Sequence, residues 1–237
     1  MIRCMLGLVV ILSVCGNNQM ASGEVPEGYK VVYEQDFSQE ESLTHFEFTD
    51  PKVWNIGRTA EGRTYIEHVA KSQYEYKVRS PYNIALLKKL QVKSFVLEMD
   101  MQQTGKEYGH RDMCVFYNVI DRSHFYYTHI ASATDNNAHN IFIVNDKPRT
   151  AISTTTSKGH QWGKQWHKVR IVRDAGEGTI EVYVNDMDAP IMTAEDTTFG
   201  WGYVGFGSFD DTGRISNLKV WAAESRPGES GRAVFSE

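Results

Sequence analysis

The sequence predicts an all-β fold, a sandwich or a barrel, and three observations carry that prediction. Short runs of β-branched and aromatic residues recur along the chain, broken by Gly, Asn, Asp and Pro. Almost no segment repeats apolar residues at helical spacing. The 237 residues, 41% hydrophobic and 12% aromatic, suffice for one core of ordinary size, because single all-β sandwiches commonly run to roughly 200–250 residues.

The chain opens on "MIRCMLGLVVILSVCGNNQMASGEV", with Arg3 ahead of an apolar run over residues 5–15 and small, polar residues after it. This is the pattern of a secretory signal. The run is too short to cross a bilayer, which takes roughly 20 apolar residues. Cleavage between Gly23 and Glu24 is expected, giving an exported protein, secreted or periplasmic, with no transmembrane segment. "LSVC" at residues 12–15 also resembles a bacterial lipoprotein box, but Val14 stands where such boxes take Gly, Ala or Ser. Lipid anchoring at Cys15 is therefore the secondary expectation. Cleavage removes Cys4 and Cys15, so Cys114 remains without a disulfide partner. It sits within "MCVFYNVI" and is expected to be a buried, inert thiol.

The expected strands follow in order: "YKVVYEQDF", "TYIEHV", "YNIALL", "FVLEMDMQQ", "MCVFYNVI", "HFYYTHIA", "NIFIV", "WHKVRIVRD", "TIEVYVN", "YVGFGSF" and "RISNLKVW". Between the eighth and ninth, "DAGEG" reads as a hairpin whose two glycines supply positive φ. Asn185-Asp186 starts another turn. The one weak helical hint lies around residues 40–46. From Glu224 onward "ESRPGESGRAVFSE" has no apolar pattern and is expected to be a mobile tail, which leaves residues 24–223 as the single domain. A formal net charge of −5 and scattered basic residues give no field suited to phosphates, so nucleic acid is not an expected partner.

"GYVGFGSFDDTGRISNLKVW", a Gly-spaced strand, an Asp-rich turn and a closing strand, resembles the C-terminal end of concanavalin A-like jelly rolls, laminin-G-like and 3-keto-disaccharide hydrolase-like domains among them. "WHKVRIVRDAGEGTIEVYVND" extends the match over most of the second half. "GHRDMCVFYNVIDRSHFYYTHIASATDNNAHNIFIVND" is similar to secreted bacterial proteins of that fold. The resemblance implies a two-sheet antiparallel jelly-roll sandwich, which hosts lectins, hydrolases, lyases and adhesion modules.

Two clusters are candidate sites. On "FVLEMDMQQ", alternation places Val96, Glu98, Asp100 and Gln102 on one face and Phe95, Leu97, Met99 and Met101 on the other. A retaining glycosidase needs two carboxyl groups about 5–5.5 Å apart, and laminarinase-like enzymes of this fold place Glu, Asp and a second Glu along one strand. Here Gln102 and Gln103 stand where that second Glu belongs, and glutamine supplies no proton. Glu98 and Asp100 remain candidates for binding sugar hydroxyls, with a solvated strand face as the alternative. The second cluster gathers His110, Arg111, Asp112, His124, His129 and His139 among Tyr117, Tyr126 and Tyr127. Such groups bond hydroxyls, and rings pack on sugar faces.

His110 and Asp112 share a side if extended, with Arg111 pointing away. Hairpin register stays open: a two-residue turn pairs Asn118 with Tyr127, a three-residue turn pairs Tyr117 with Tyr127. The family resemblance favours Tyr127 and His129 as groove residues. The expected function is carbohydrate or polysaccharide binding by His110, Asp112, Tyr127, Glu98 and Asp100. The alternatives are a keto-glycoside hydrolase or lyase using His129 or His139 with Arg111, and a laminin-G-like adhesion module. No cofactor is required. The resemblance also implies a structural calcium, for which Asp36, Asp210, Asp211 and the Asp135-Asn136-Asn137 turn offer oxygens. One of Trp162 and Trp166 is a candidate for stacking on sugar, or a strand-end anchor.

Overall fold

Alternation along the longest strands dictates two sheets that share one dry layer. The computed structural model describes residues 24–229 and 231–235, so the expected leader, with Cys4 and Cys15, lies outside the described residues. The strands are β1 (Lys30–Gln35), β2 (Phe46–Phe48), β3 (Trp54–Arg58), β4 (Thr64–His68), β5 (Asn83–Leu87), β6 (Leu90–Val92), β7 (Phe95–Gln103), β8 (Asp112–Asp121) and β9 (His124–Ala131). They continue as β10 (Asn140–Asn145), β11 (Thr150–Ala151), β12 (Ser153–Thr156), β13 (His167–Arg173), β14 (Thr179–Val184), β15 (Met192–Glu195), β16 (Tyr203–Ser208), β17 (Gly213–Ala222) and β18 (Ser225–Pro227). Each of the expected runs is found as a strand. The helical hint is a 3-10 helix, Glu40–His45. No helix among the described residues is long and apolar enough to cross a membrane.

One sheet runs β12-β15-β14-β13-β7-β17-β4-β3, with β1 also on β17, and the other runs β11-β10-β9-β8-β16-β5-β2. All pairings are antiparallel. Between the sheets, Phe95, Leu97, Met99 and Met101 of β7 join Met113, Val115 and Tyr117 of β8 in one buried cluster. Burying a side chain of this size contributes about 1.5–3 kcal/mol, so Leu97→Ala would open a cavity at the centre of the molecule. Trp162 belongs to this layer, fully buried, and its Nε1–H donates to the Ile130 carbonyl at 3.0 Å. It is a strand-end anchor rather than a sugar platform.

β8 and β9 are buried on both faces, which explains why "MCVFYNVI" and "HFYYTHIA" read as continuous apolar runs. Their second face carries Cys114, Phe116, Phe125 and Tyr127, packed with Tyr74, Val234 and Phe235. The last of these come from the segment expected to be a mobile tail. Instead, β18 pairs with β6, and the Glu47 carboxylate accepts the N–H groups of Val234 and Phe235 at 2.8 and 2.7 Å. "AVF" holds only two large apolar residues, too few for a periodic signal, yet both are seated.

The β8–β9 hairpin resolves the open register in a third way. Asp121 faces His124, as a two-residue turn requires, but an irregularity then slips the strands so that Phe116 faces Tyr127 and Tyr117 faces Tyr126. Asn118, at φ +47°, sits in that slip, and its side-chain amide donates to the carbonyls of Lys93 and Gly200. In the "DAGEG" hairpin only Gly178 has positive φ, at +85°. Gly176 does not, because the Asp174 carboxylate accepts its N–H at 2.7 Å and that of Glu177 at 3.1 Å, shaping the turn instead.

Candidate functional site

The second face of the seven-stranded sheet stays open at one end, where five loops meet the start of β8. There a pocket of about 490 Å³ is lined by Asp112 and His129 from the sheet, Tyr108, His110 and Asn137 from neighbouring loops, and Arg79, Arg149, Phe209 and Asp210. The pairing of Cys114 with His129 places the imidazole beside the thiol and Asp112 two residues along the same face. Phe209 is the ring at the centre. The guanidinium carbons of Arg149 and Arg79 lie 4.3 and 5.8 Å from its centroid, and the His129 ring lies 6.1 Å away.

Asp112 is 1% exposed. Its Oδ2 accepts from the Phe209 N–H at 2.8 Å and the Cys114 thiol at 3.1 Å, and lies 3.7 Å from His129 Nε2. Asp211 accepts from the Tyr108 hydroxyl at 2.8 Å and from the Asp112 N–H at 2.9 Å. No Lys or Arg pairs with either carboxyl among the described residues. Burial, and after it the neighbouring Asp211, raises the Asp112 pKa well above the carboxylate range, and burial also raises that of Asp211. Burial and the adjacent carboxyl both disfavour the charged form of Asp112. Its Oδ1 is buried and meets no donor.

His129 is held neutral. Burial, reinforced by the Arg149 charge, pulls its pKa down to about 3. Its Nδ1 accepts the His139 N–H at 3.3 Å, which assigns the ring proton to Nε2, on the Asp112 side. In this state His129 is a hydrogen-bond donor, not a base that titrates near neutral pH.

The other expected site residues are placed elsewhere or used otherwise. His139 is fully buried, accepts the Ala131 N–H through Nδ1 and meets Ser157 Oγ at 2.8 Å, and burial lowers its pKa to about 4. Its ring braces the 132–139 loop instead of facing the pocket. Arg111 points away from His110, as expected, and its guanidinium is consumed by the Gln103 side chain, Glu107, and the carbonyls of Gln103 and Gly163. Tyr127 is fully buried beneath the pocket, its hydroxyl accepting from Arg149 at 3.0 Å. It supports the site without lining it.

Glu98 and Asp100 lie on the other sheet's outer face, remote from the pocket. Glu98 bonds Lys168 and Arg170, and Asp100 bonds Arg63 and Asn217. Burial opposes the Glu98 charge, but the bonds from Lys168 and Arg170 outweigh it and lower its pKa. Trp166, half-buried, packs beside Tyr65 and under Arg63 on this face.

The oxygen donors expected for calcium divide. Ligand atoms of Asp112, Asp210 and Asp211 lie within 4.8 Å of one another, and those of Asp112, Cys114 and His129 form a second such group. Asp36 is in neither. Its carboxylate accepts the Ser38 N–H at 2.9 Å instead. In the Asp135-Asn136-Asn137 turn, Asp135 accepts the Asn137 N–H and meets His110 Nε2 at 2.6 Å.

Arg79, Arg149, Tyr108, Asn137 and Phe209 carry no sequence signal of periodicity or spacing. Each sits on a loop, and only the sheet order brings them together.

No protein-family model matches the chain, and no curated protein does. Among solved structures, the carbohydrate-binding module CBM66 from Bacillus subtilis is similar at a TM-score of 0.53 and 13% identity, over 75% of this chain and 96% of that one. The lectin UEA-II, in complex with galactose, gives 0.51 and 13%, over 83% and 100%. A GH43 protein from Bacillus licheniformis gives 0.53 and 10%, over 80% and 39%. At such identities the likeness is one of architecture alone, a two-sheet antiparallel jelly roll.

Proposed function

We propose that the protein binds carbohydrate, as a unit of a polysaccharide, in this pocket. The observation that carries the proposal is the make-up of the wall: acceptors on Asp112 and Asp210, donors on Arg79, Arg149 and His129, and the rings of Phe209 and Tyr108 between them. Sugar hydroxyls need donors and acceptors at close spacing, and ring C–H faces need an aromatic surface. The volume falls within the range of about 300–1,000 Å³ typical of small-ligand sites. The carbohydrate-binding module and the lectin among the fold neighbours support the same ligand class. Glycan-array screening followed by calorimetry tests it. Phe209→Ala is expected to weaken the best glycan at least about tenfold, and unchanged affinity, or no saccharide bound at millimolar concentration, would overturn it.

A second function, sugar cleavage, is favoured by one observation: Asp112, which burial and the neighbouring Asp211 push toward its protonated form, lines the pocket. This replaces the set of His129, His139 and Arg111 as the acid/base candidate. Reducing-sugar and unsaturated-product assays on the same glycans decide it, with Asp211→Asn as the control. The same corner, with Asp112 in place of Asp36, is the oxygen set a calcium ion would use. For an adhesion module the surface offers less: the large exposed apolar side chains are Val31, Val69, Tyr108 and Ile120, drawn from separate segments.

A further inference from the structure

Among the described residues, Arg63, Arg111, Arg170, Arg214 and Arg232 end on a carboxylate. The two that line the pocket do not. Arg149 donates Nη1–H to the Tyr127 hydroxyl and Nη2–H to the Asn137 carbonyl at 2.9 Å. Those two bonds fix the plane of the guanidinium and leave the remaining three of its five N–H donors without a partner. Arg79 is exposed and donates no side-chain hydrogen bond. Its carbonyl accepts the Arg149 N–H at 3.3 Å, which ties the two residues together. Both guanidinium groups gather at the Phe209 ring. Two like charges gathered at one ring, neither joined to a carboxylate in an ion pair among the described residues, form a ready site for an anion.

We propose that the ligand of this pocket is an acidic sugar, its carboxylate held by Arg79 and Arg149. The proposal rests on the carbohydrate function above and narrows its substrate class. Asp112 and Asp210 line the same cavity, with Asp211 beside them, so a compact, multiply charged anion such as free phosphate meets repulsion as well as attraction. A uronic acid unit avoids this, because the ring separates one carboxylate from several hydroxyls. The carboxylate meets the arginines while the hydroxyls donate to the aspartates, across the apolar face of Phe209. A sulfate ester shares the anionic chemistry at the arginines, whose fork also takes two oxygens of a tetrahedral group, so sulfated chains are a separate arm of the test.

The test is calorimetry on the full chain with galacturonate, glucuronate and mannuronate oligosaccharides, the carboxyl-reduced counterpart of each, and sulfated neutral oligosaccharides. At least one uronate is expected to bind about tenfold or more tightly than its reduced counterpart, and the advantage is expected to shrink as salt rises. Arg79→Gln is expected to abolish that advantage. It breaks no internal side-chain bond, so melting of the variant is expected to match wild type, whereas Arg149→Gln also frees the Tyr127 hydroxyl. Equal binding of the uronates and their reduced forms, or an advantage that survives Arg79→Gln, overturns the proposal and leaves carbohydrate binding standing. Tighter binding of sulfated chains than of every uronate overturns the carboxylate assignment. Failure of all saccharides at millimolar concentration removes both.

Discussion

The chain carries two groups of acidic side chains, and they are compensated in different ways. On the outer face of β7, Glu98 stands opposite Arg170 on β13 and Lys219 on β17, and Asp100 stands opposite Lys168. Of these, Arg170 bonds the Glu98 it faces, Lys168 reaches diagonally to Glu98, and Asp100 takes Arg63 instead, so neighbouring segments supply each carboxylate with a cation. At the pocket, Asp112 and Asp211 meet through the loop that joins β16 to β17, and the nearest basic group to Asp112 is the neutral His129, 3.7 Å away. Here topology brings acid to acid. The first group holds its charge because neighbouring segments neutralise it, while in the second the charged form of Asp112 is disfavoured and the group stays responsive to whatever enters.

The largest expected effect tests whether His129 belongs to the protein's own network or to the ligand. His129→Ala leaves the buried His139 N–H without its acceptor, at an expected cost of about 1–3 kcal/mol in urea unfolding. An unchanged midpoint with weakened glycan binding would instead make it a ligand group.

A smaller effect, visible only as pH varies, tests the protonation of Asp112. The folded-state pKa of Asp112 is raised, so the stability it contributes is complete below its unfolded value, about 3.9, and is lost as pH climbs through the folded value. Asp112→Asn never ionises. Its stability relative to wild type is therefore expected to grow from about pH 4 toward neutrality, and a constant difference would show that Asp112 is ionised and compensated. His129 works on the opposite limb. Its pKa is depressed to about 3, so its contribution is present above about pH 6.5 and fades as pH falls toward 3, a loss that His129→Ala should blunt.

The smallest effect belongs to β7. Glu98→Gln removes one member of a partly exposed charge network, and its expected cost is under about 1 kcal/mol, with glycan affinity and any turnover untouched. A collapse of turnover by orders of magnitude in a folded variant would return the catalytic role to this strand.

The fold was legible because alternation is a local property: Leu97, Met99 and Met101 declare their face from sequence alone, and so do Glu98 and Asp100. Half of the pocket was legible as well. His110, Asp112 and His129 were drawn together by their density within one hairpin, and Asp210 by its turn. The remainder depends on contacts no window contains. Arg79 reaches Phe209 across about half the chain, and Asp112 reaches Asp211 over 99 residues. Burial reversed other expectations, since a histidine that braces backbone, like His139, is indistinguishable in sequence from one that faces solvent. The slip at Asn118 was equally hidden, because a residue at positive φ leaves no periodic trace. It moved the partners by two positions, and an even shift keeps every side chain on its original face, so Tyr127 and His129 still share a side.

The apolar cover over the sheet has a consequence for how a polymer is met. Tyr74, Val234 and Phe235 pack over part of the face along which an extended chain would otherwise lie, and the pocket opens at the end near His129. On the proposed function, a polysaccharide would then not run the length of this sheet like a cable in a trough but present a terminus or a short branch, end-on. The number of proteins a polymer recruits should then follow its count of tips rather than its length, so that shearing a long chain into fragments multiplies the places where this molecule docks.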